Sequence, residues 1–386
     1  MSQPDILVVG AGITGASAAL ELARSGQKVE VIERYGPAAM ASGWTLAGVR
    51  QSGRDPAELA MSRLAVALWS ELDRVLEAET GYRQHGNLRL ARSAQEFETI
   101  RDLVTEQSAA GLDMQFLPDL AATRDVVPAL SEQVVAASWC ASDGSADPIA
   151  TVSAYLGMAQ KLGATSSIGE EVQELIVTKG RITQVVTNLR ILSPGSVILA
   201  SGVLINRLLD PMGLALPLRR PVVTVLRTMP APKILGPVLG VANADMAARQ
   251  ENSGRFRISS GAEDSGTLAE LDGKPLVRPT MRGVMGTIRR VAKVLPALAG
   301  AEVEAIWGGM LDMTPDALPV IDKVPGVHNL VVAAGFSGHG FGIGPVTGPL
   351  AADLALDRSL RLDVQAFRFD RFAGRTQADA LLTLHG

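Results

Sequence analysis

A short apolar run, Asp5 to Val9, leads straight into Gly10-Ala11-Gly12-Ile13-Thr14-Gly15, and alanine-rich, helix-favouring sequence follows to about Ser25. Gly26 ends the predicted helix, Lys28 to Ile32 reads as a second strand, and Glu33 stands at its end. This is the pattern of a βαβ unit built to receive a dinucleotide. Each glycine has its own task. Gly10 permits the tight turn, Gly12 lets the backbone approach a pyrophosphate, and Gly15 lets helix and strand pack closely. The helix start then offers free N–H groups and the positive end of its dipole. Glu33 is placed to hold the adenosine ribose hydroxyls, and its charge disfavours a 2′-phosphate.

The chain has 386 residues, too many for one compact core, so two domains are expected. A net charge of -4 gives no bias toward polyanions, which argues against nucleic acid as a partner. The single cysteine, Cys140, cannot form an intrachain disulfide or a thiolate cluster, and fits a cytoplasmic setting. No segment has the apolar length of an integral membrane span. No His/Asp/Glu cluster has metal-ligand spacing, so no metal is expected.

Further along, Pro56 to Thr80 reads as one long amphipathic helix packed on the sheet, with Leu59, Met61, Leu64, Leu68, Leu72 and Leu76 on its apolar side. A helix is expected over Ala150 to Leu162. Val172 to Thr178 and Ile182 to Thr187 form a hairpin around Lys179-Gly180. Ser196 to Ala200 and Asn329 to Ala334 read as buried strands of the same sheet as that hairpin. Between about Leu218 and Val324 the βα rhythm gives way to alternating, strand-like segments. The expected fold is therefore α/β, a Rossmann-type nucleotide-binding domain with an inserted, mainly antiparallel β-sheet substrate domain. The boundaries expected are 1–82, 145–217 and 325–386 for the first, and 83–144 and 218–324 for the second.

The βαβ unit alone does not separate FAD from NAD. Two later segments favour FAD. The small-residue loop Met40-Ala41-Ser42-Gly43-Trp44-Thr45, running on to Gly48-Val49-Arg50, can pass close to a flavin ring. The loop Gly335-Phe336-Ser337-Gly338-His339-Gly340-Phe341-Gly342-Ile343-Gly344-Pro345 precedes a helix expected from about Val346, whose N-terminus can stabilise charge on a reduced flavin. The expected cofactor contacts are Gly10, Gly12, Ile13, Thr14, Gly15, Glu33, Arg34, Ser42, Gly43, Thr45, Leu46, Val172, Ala200, Gly202, Gly335, Gly338, His339, Gly340, Phe341 and Gly342.

These motifs, with Asp143-Gly144-Ser145-Ala146-Asp147-Pro148, Met313-Thr314-Pro315-Asp316 and Pro319-Val320-Ile321-Asp322, occur in order over nearly the whole chain. In that series the chain resembles the D-amino-acid oxidase superfamily of FAD enzymes, nearest the branch of monomeric sarcosine oxidase and the sarcosine oxidase β subunits. The resemblance implies hydride removal from the carbon beside nitrogen to flavin N5, giving an imine that water hydrolyses, with oxygen or an electron-transfer partner reoxidising the flavin. The departures matter too. Gly309 stands where monomeric sarcosine oxidase tethers its flavin through cysteine, so non-covalent FAD is expected. Gly342 replaces a lysine, and Leu311 an arginine, that hold a substrate carboxylate in relatives. Arg50 matches an arginine of the flavin-facing loop and is a candidate substrate contact. Arg257 falls near a lysine that promotes reaction with oxygen.

Between Leu218 and Val324 there is no His and no Tyr. Alcohol oxidation requires a base for the hydroxyl proton, whereas a neutral amine loses only hydride, so the shortage favours a small amine or amino-acid substrate. His339 is the one well-placed imidazole, while His85, His328 and His385 read as surface or loop residues. Trp307 reads equally as pocket wall or core. Two other readings stay open: a 2-hydroxy-acid dehydrogenase with His339 as base, and a flavin subunit active only with a partner subunit.

Overall fold

The computed structural model describes residues 3–263 and 266–373. Strand β1 (Ile6–Val9), helix α1 (Ile13–Arg24) and strand β2 (Val29–Glu33) form the βαβ unit at the centre of a six-stranded sheet. Its order is Val320–Lys323, Leu330–Ala334, Ser196–Leu199, β1, β2, Thr165–Ile168, parallel throughout except for the first pair. Every residue of β1 and of Leu330–Ala334 is buried, as an apolar run covered on both faces requires.

One face of this sheet carries α1, the helix Pro148–Lys161 and the helix Gly340–Ala355. The other face carries the hairpin Val172–Thr178 and Arg181–Thr187. That hairpin turns at Lys179 and Gly180, both with positive φ, as the sequence suggested. With Ile191–Leu192 it makes a separate three-stranded sheet, and is not part of the main sheet as expected.

An eight-stranded sheet stands beside the first, in the order Val303–Met310, Val222–Thr228, Phe256–Glu263, Met246–Gln250, Val238–Val241, Asn87–Ala91, Ala136–Cys140, Gln115–Leu117. All its pairs are antiparallel except Val238–Val241 with Asn87–Ala91.

Two helical expectations need correction. The segment from Pro56 is two helices, Pro56–Trp69 and Leu72–Leu76, broken at Ser70 and Glu71. Its first helix packs on Gly340–Ala355, burying Glu58, Met61, Ser62, Ala65, Val66 and Trp69 while Leu68 faces solvent. The C-terminal helix begins at Gly340, six residues before Val346, and contains Pro345 and Pro349. Its glycines serve helix contact: a Cβ at Gly348 would lie 1.9 Å from Ser17 Oγ, and one at Gly344 2.2 Å from Ile13. The Ser17 hydroxyl donates across this contact to the Gly344 carbonyl at 2.8 Å.

Candidate active site

One continuous cleft runs from the C-terminal ends of β1 and β2 to the face of the eight-stranded sheet. Val9, Gly10, Ile32, Glu33, Arg34 and Val172 line its first half, and Val223, Val225, Ala247 and Ser259 the second. Gly12, Ala41, Ser42, Ala200, Gly202 and Met310 line both. Its position, at the carboxyl edge of a mostly parallel sheet, is the one that ligands of open α/β folds use.

The first half is shaped by close backbone approach. Gly10 has φ +108°, and a Cβ there would lie 2.5 Å from the Ala200 carbonyl oxygen. Helix α1 starts at Gly12 without a side-chain cap, and the Ile13 N–H donates to Ser42 Oγ at 3.0 Å. The Ser201 hydroxyl oxygen is buried at this wall and has no hydrogen-bond partner among the described residues. An uncapped helix start, a close-approach glycine and an orphaned hydroxyl fit the diphosphate of a dinucleotide. Glu33 is busier than expected. Its carboxylate accepts the Ala11 N–H at 2.8 Å, the Tyr35 N–H at 2.8 Å and the Gly36 N–H at 3.3 Å. About one of its four lone-pair positions is left for a ribose hydroxyl.

The second half has a cationic end. Arg50 follows the strand Gly48–Val49 and donates to the carbonyls of Ser52 at 2.6 Å and Gly53 at 3.2 Å. Arg54 directly precedes Asp55, which caps the helix Pro56–Trp69 by accepting the Ala57 N–H. Arg89, from Asn87–Ala91, lies over Gly53, where a Cβ would come within 2.4 Å of its guanidinium. All three line the cleft. Burial holds each guanidinium below its ordinary pKa, Arg89 at about 10, and the neighbouring guanidiniums press Arg50 and Arg89 further down. Asp143 sits among them fully buried, accepting from Gln51 N–H at 2.9 Å, Ser52 N–H at 3.3 Å and Ser52 Oγ at 2.5 Å.

His339 lies at the start of the C-terminal helix, with Nδ1 3.1 Å from Glu58 Oε2. Burial and then Arg54 keep the imidazole below its ordinary pKa, so it is neutral at pH 7. Burial would raise Glu58, but His339, Arg54 and Arg50 outweigh it and keep the carboxylate ionised. With Nδ1 donating to Glu58, Nε2 is the acceptor nitrogen.

Most of the expected cofactor residues line the cleft: Gly10, Gly12, Ile13, Thr14, Glu33, Arg34, Ser42, Thr45, Leu46, Val172, Ala200, Gly202, Gly338, His339, Gly340, Phe341 and Gly342. The Arg34 guanidinium itself is tied to Glu171 at 2.6 Å and Glu270 at 2.9 Å. Gly15, Gly43 and Gly335 pack beneath the cleft. A Cβ at Gly15 would lie 1.9 Å from the Gly10 carbonyl oxygen, and one at Gly43 2.1 Å from that of Ala38. Gly335, at φ +67°, donates its N–H to Asp312 Oδ2 at 2.8 Å.

Of the candidate catalytic residues, Arg50 and His339 line the cleft and Arg257 does not. Arg257 pairs with Glu251 at 3.0 Å, donates to the Thr45 carbonyl at 2.8 Å and covers the Trp307 ring. Trp307 donates to the Trp44 carbonyl at 3.3 Å, so both side chains brace the loop rather than wall the cleft. Gly342 is held small by the strand beside it, since a Cβ would lie 3.0 Å from the Gly48 carbonyl oxygen. His85 is a half-buried loop residue and bridges the Gly236 carbonyl and Ser145 Oγ. His328 is exposed, and His385 lies outside the described residues. Cys140 is buried away from the cleft, its thiol pushed up to about 12 by burial.

Sequence reasoning missed Arg54, Arg89 and Glu58. Glu58 had left a signal, an acid three residues before Met61 on the buried stripe of an amphipathic helix.

The family model described as "FAD dependent oxidoreductase" matches residues 5–354. The bifunctional protein ThiO/ThiG of Synechocystis is 28% identical over 98% of this chain and 55% of its own length. The chain thus spans about half of that relative. An opine oxidase subunit of Rhizobium meliloti is 27% identical over 95% of this chain and 99% of its own. Among solved structures, L-proline dehydrogenase from P. horikoshii superposes with a TM-score of 0.87 at 26% identity, covering 97% of this chain and 99% of the other.

Proposed function

The chain belongs to the family of FAD-dependent oxidoreductases, and from that premise we propose that it oxidises the C–N bond of a small amine or N-substituted amino acid. FAD, held through the residues around Gly10, Gly12, Ser42, Ala200 and Ser201, would supply the hydride acceptor. The observation that carries the reading is one cleft joining this cradle to the cationic end at Arg50, Arg54 and Arg89, which suits an amino-acid carboxylate. His339 Nε2 is oriented by Glu58 to take the proton of a substrate ammonium, leaving a neutral amine that needs only hydride loss. Val223 and Val225 would supply apolar walls to this part of the cleft.

Gly309 lines the cleft and Cys140 does not, which supports FAD held without a covalent bond. The division at residues 82, 144, 217 and 324 into cofactor and substrate domains belongs to the same proposal, as does a cytoplasmic setting, supported by the lone buried thiol. Oxygen or an electron-transfer partner would take the electrons onward.

Anaerobic mixing with panels of amines and 2-hydroxy acids tests the reaction. Flavin bleaching by amines is expected. Bleaching by hydroxy acids alone would instead favour the second reading, for which the His339–Glu58 pair offers a base. The Rhizobium relative is by name one chain of an oxidase, so a partner is a further possibility. Rapid bleaching of the chain purified alone would remove it. Among the described residues no helix is long and apolar enough to cross a membrane.

A further inference from the structure

The face of the eight-stranded sheet turned away from the cleft carries one long helix. Val225 and Ser259 line the cleft, so alternation puts their neighbours Leu226 and Ile258 on the other face. There they pack with Val291 and Val294 of the helix Met281–Val294. Thr280 caps the start of this helix by accepting the Gly283 N–H at 3.0 Å, and Gly283, Thr287, Val291 and Val294 form its buried stripe.

The outward side of the helix divides in two. Met281, Met285 and Ile288 recur at the i, i+4, i+7 spacing of a single stripe, yet they are 76, 54 and 40% exposed. Arg282, Arg289 and Lys293 form a second exposed stripe beside it, and none of them has an ion pair among the described residues. Arg290 points about half a turn away from Met281 and pairs with Asp245, just before the strand Met246–Gln250, at 3.5 Å. The methionine stripe therefore lies on the side toward the edge strand Val303–Met310. Ile306 of that strand, opposite Leu226 in register and so on the same sheet face, is also exposed.

The charge here is lopsided. Residues 273–301 hold six Lys and Arg and no Asp or Glu, in a chain whose net charge is -4. The acids beside this tract are engaged: Asp245 also holds Arg92, Glu304 holds Arg227 and Arg255, and Glu263 accepts from Thr280 at the helix start. A convex helix with bare apolar side chains beside unpaired cations suits a surface rather than a pocket. Four apolar side chains are few against the roughly 20–30 residues a side of a stable protein interface. A bilayer requires only apolar side chains at the acyl boundary and cations at the headgroups.

We propose that the helix Met281–Val294 docks the protein peripherally on an anionic lipid surface, with Met281, Met285 and Ile288 entering the headgroup layer and Arg282, Arg289 and Lys293 meeting lipid phosphates. The helix lies in the plane of the surface and does not cross it. The cleft, on the opposite sheet face, stays open to substrate. Docking of this kind is independent of the reaction assigned above.

The test is flotation of the FAD-loaded protein with vesicles of phosphatidylcholine, alone or with about one third phosphatidylglycerol. Binding to the mixed vesicles should be at least tenfold tighter than to phosphatidylcholine alone and largely lost in half-molar salt. Each cation near such a surface contributes about fivefold, so Arg282→Gln, Arg289→Gln and Lys293→Gln together should weaken binding at least thirtyfold. Met281→Ser with Met285→Ser should weaken it at least tenfold. All these positions are exposed, so flavin content and Tm should hold. Met285→Cys carrying an environment-sensitive dye should brighten and blue-shift on the mixed vesicles, the buried Cys140 staying unlabelled. Equal binding to both vesicles, binding that survives the triple substitution, or a dye that stays in water while the protein floats would each overturn the inference. So would no binding at all, which would leave the stripe to an acidic protein partner.

Discussion

Replacing Glu33 by alanine should damage the protein before it damages cofactor binding. The carboxylate accepts backbone N–H groups from Ala11, Tyr35 and Gly36, at 2.8, 2.8 and 3.3 Å, and so ties the glycine turn to the end of β2. Hydrogen bonds to a charged group contribute about 1.5–3 kcal/mol each. The carboxylate is only half-buried, so the low end applies, and the two short bonds together amount to about 3 kcal/mol. Unfolding entropy scales with length, and for a chain of 386 residues such a loss lowers Tm by about 4 °C. The assay is differential scanning calorimetry of wild-type and Glu33→Ala protein, both stripped of FAD, alongside titration of FAD into each. A stripped variant that melts within 1 °C of wild type while FAD affinity collapses would show that Glu33 acts on the ribose alone, and the reasoning would fail.

Gly348→Ala places a methyl group against Ser17 and the Ala18 backbone nitrogen, so it should destabilise by about 1–3 kcal/mol in chemical denaturation; an unshifted midpoint would contradict the helix contact. Burial raises the Asp312 carboxyl from 3.8 to about 6. A raised acid contributes stability that is complete below its unfolded value and is lost as pH climbs through the folded one, here by about 2 kcal/mol between pH 4 and 7. Asp312→Asn keeps an acceptor for the Gly335 N–H and should flatten that part of the stability profile, whereas an unchanged slope would show that other groups set it. Acid precipitation of the holoprotein should leave intact FAD in the supernatant; yellow colour retained in the pellet would mean a covalent link.

Local rules made the nucleotide half readable. Strand, glycines, helix and Glu33 are contiguous, and their geometry follows from backbone sterics within about thirty residues. The Lys179-Gly180 hairpin was legible for the same reason, but its separation from the main sheet was not, because sheet membership is a long-range property. The C-terminal helix started earlier than expected because Pro345 and dense glycine oppose helix locally, while contact with Ile13 and Ser17 requires those glycines. Arg54 and Arg89 were invisible as site residues. An arginine before a helix cap and one on a strand look like solvated charges until the sheet brings them together over Gly53.

The single parallel pairing in the eight-stranded sheet joins Asn87–Ala91 to Val238–Val241, segments about 150 residues apart. At synthesis rates of about 5–20 residues per second, the first of them waits about 8–30 s for its neighbour to leave the ribosome. During that interval Leu88 and Leu90, fully buried in the finished protein, lack the strand that covers one of their edges. Arg89, between them, places a charge in the middle of this sticky segment, a gatekeeper against premature association with other nascent chains. A residue that lines the cleft of the finished protein would then also guard the chain that is still being made.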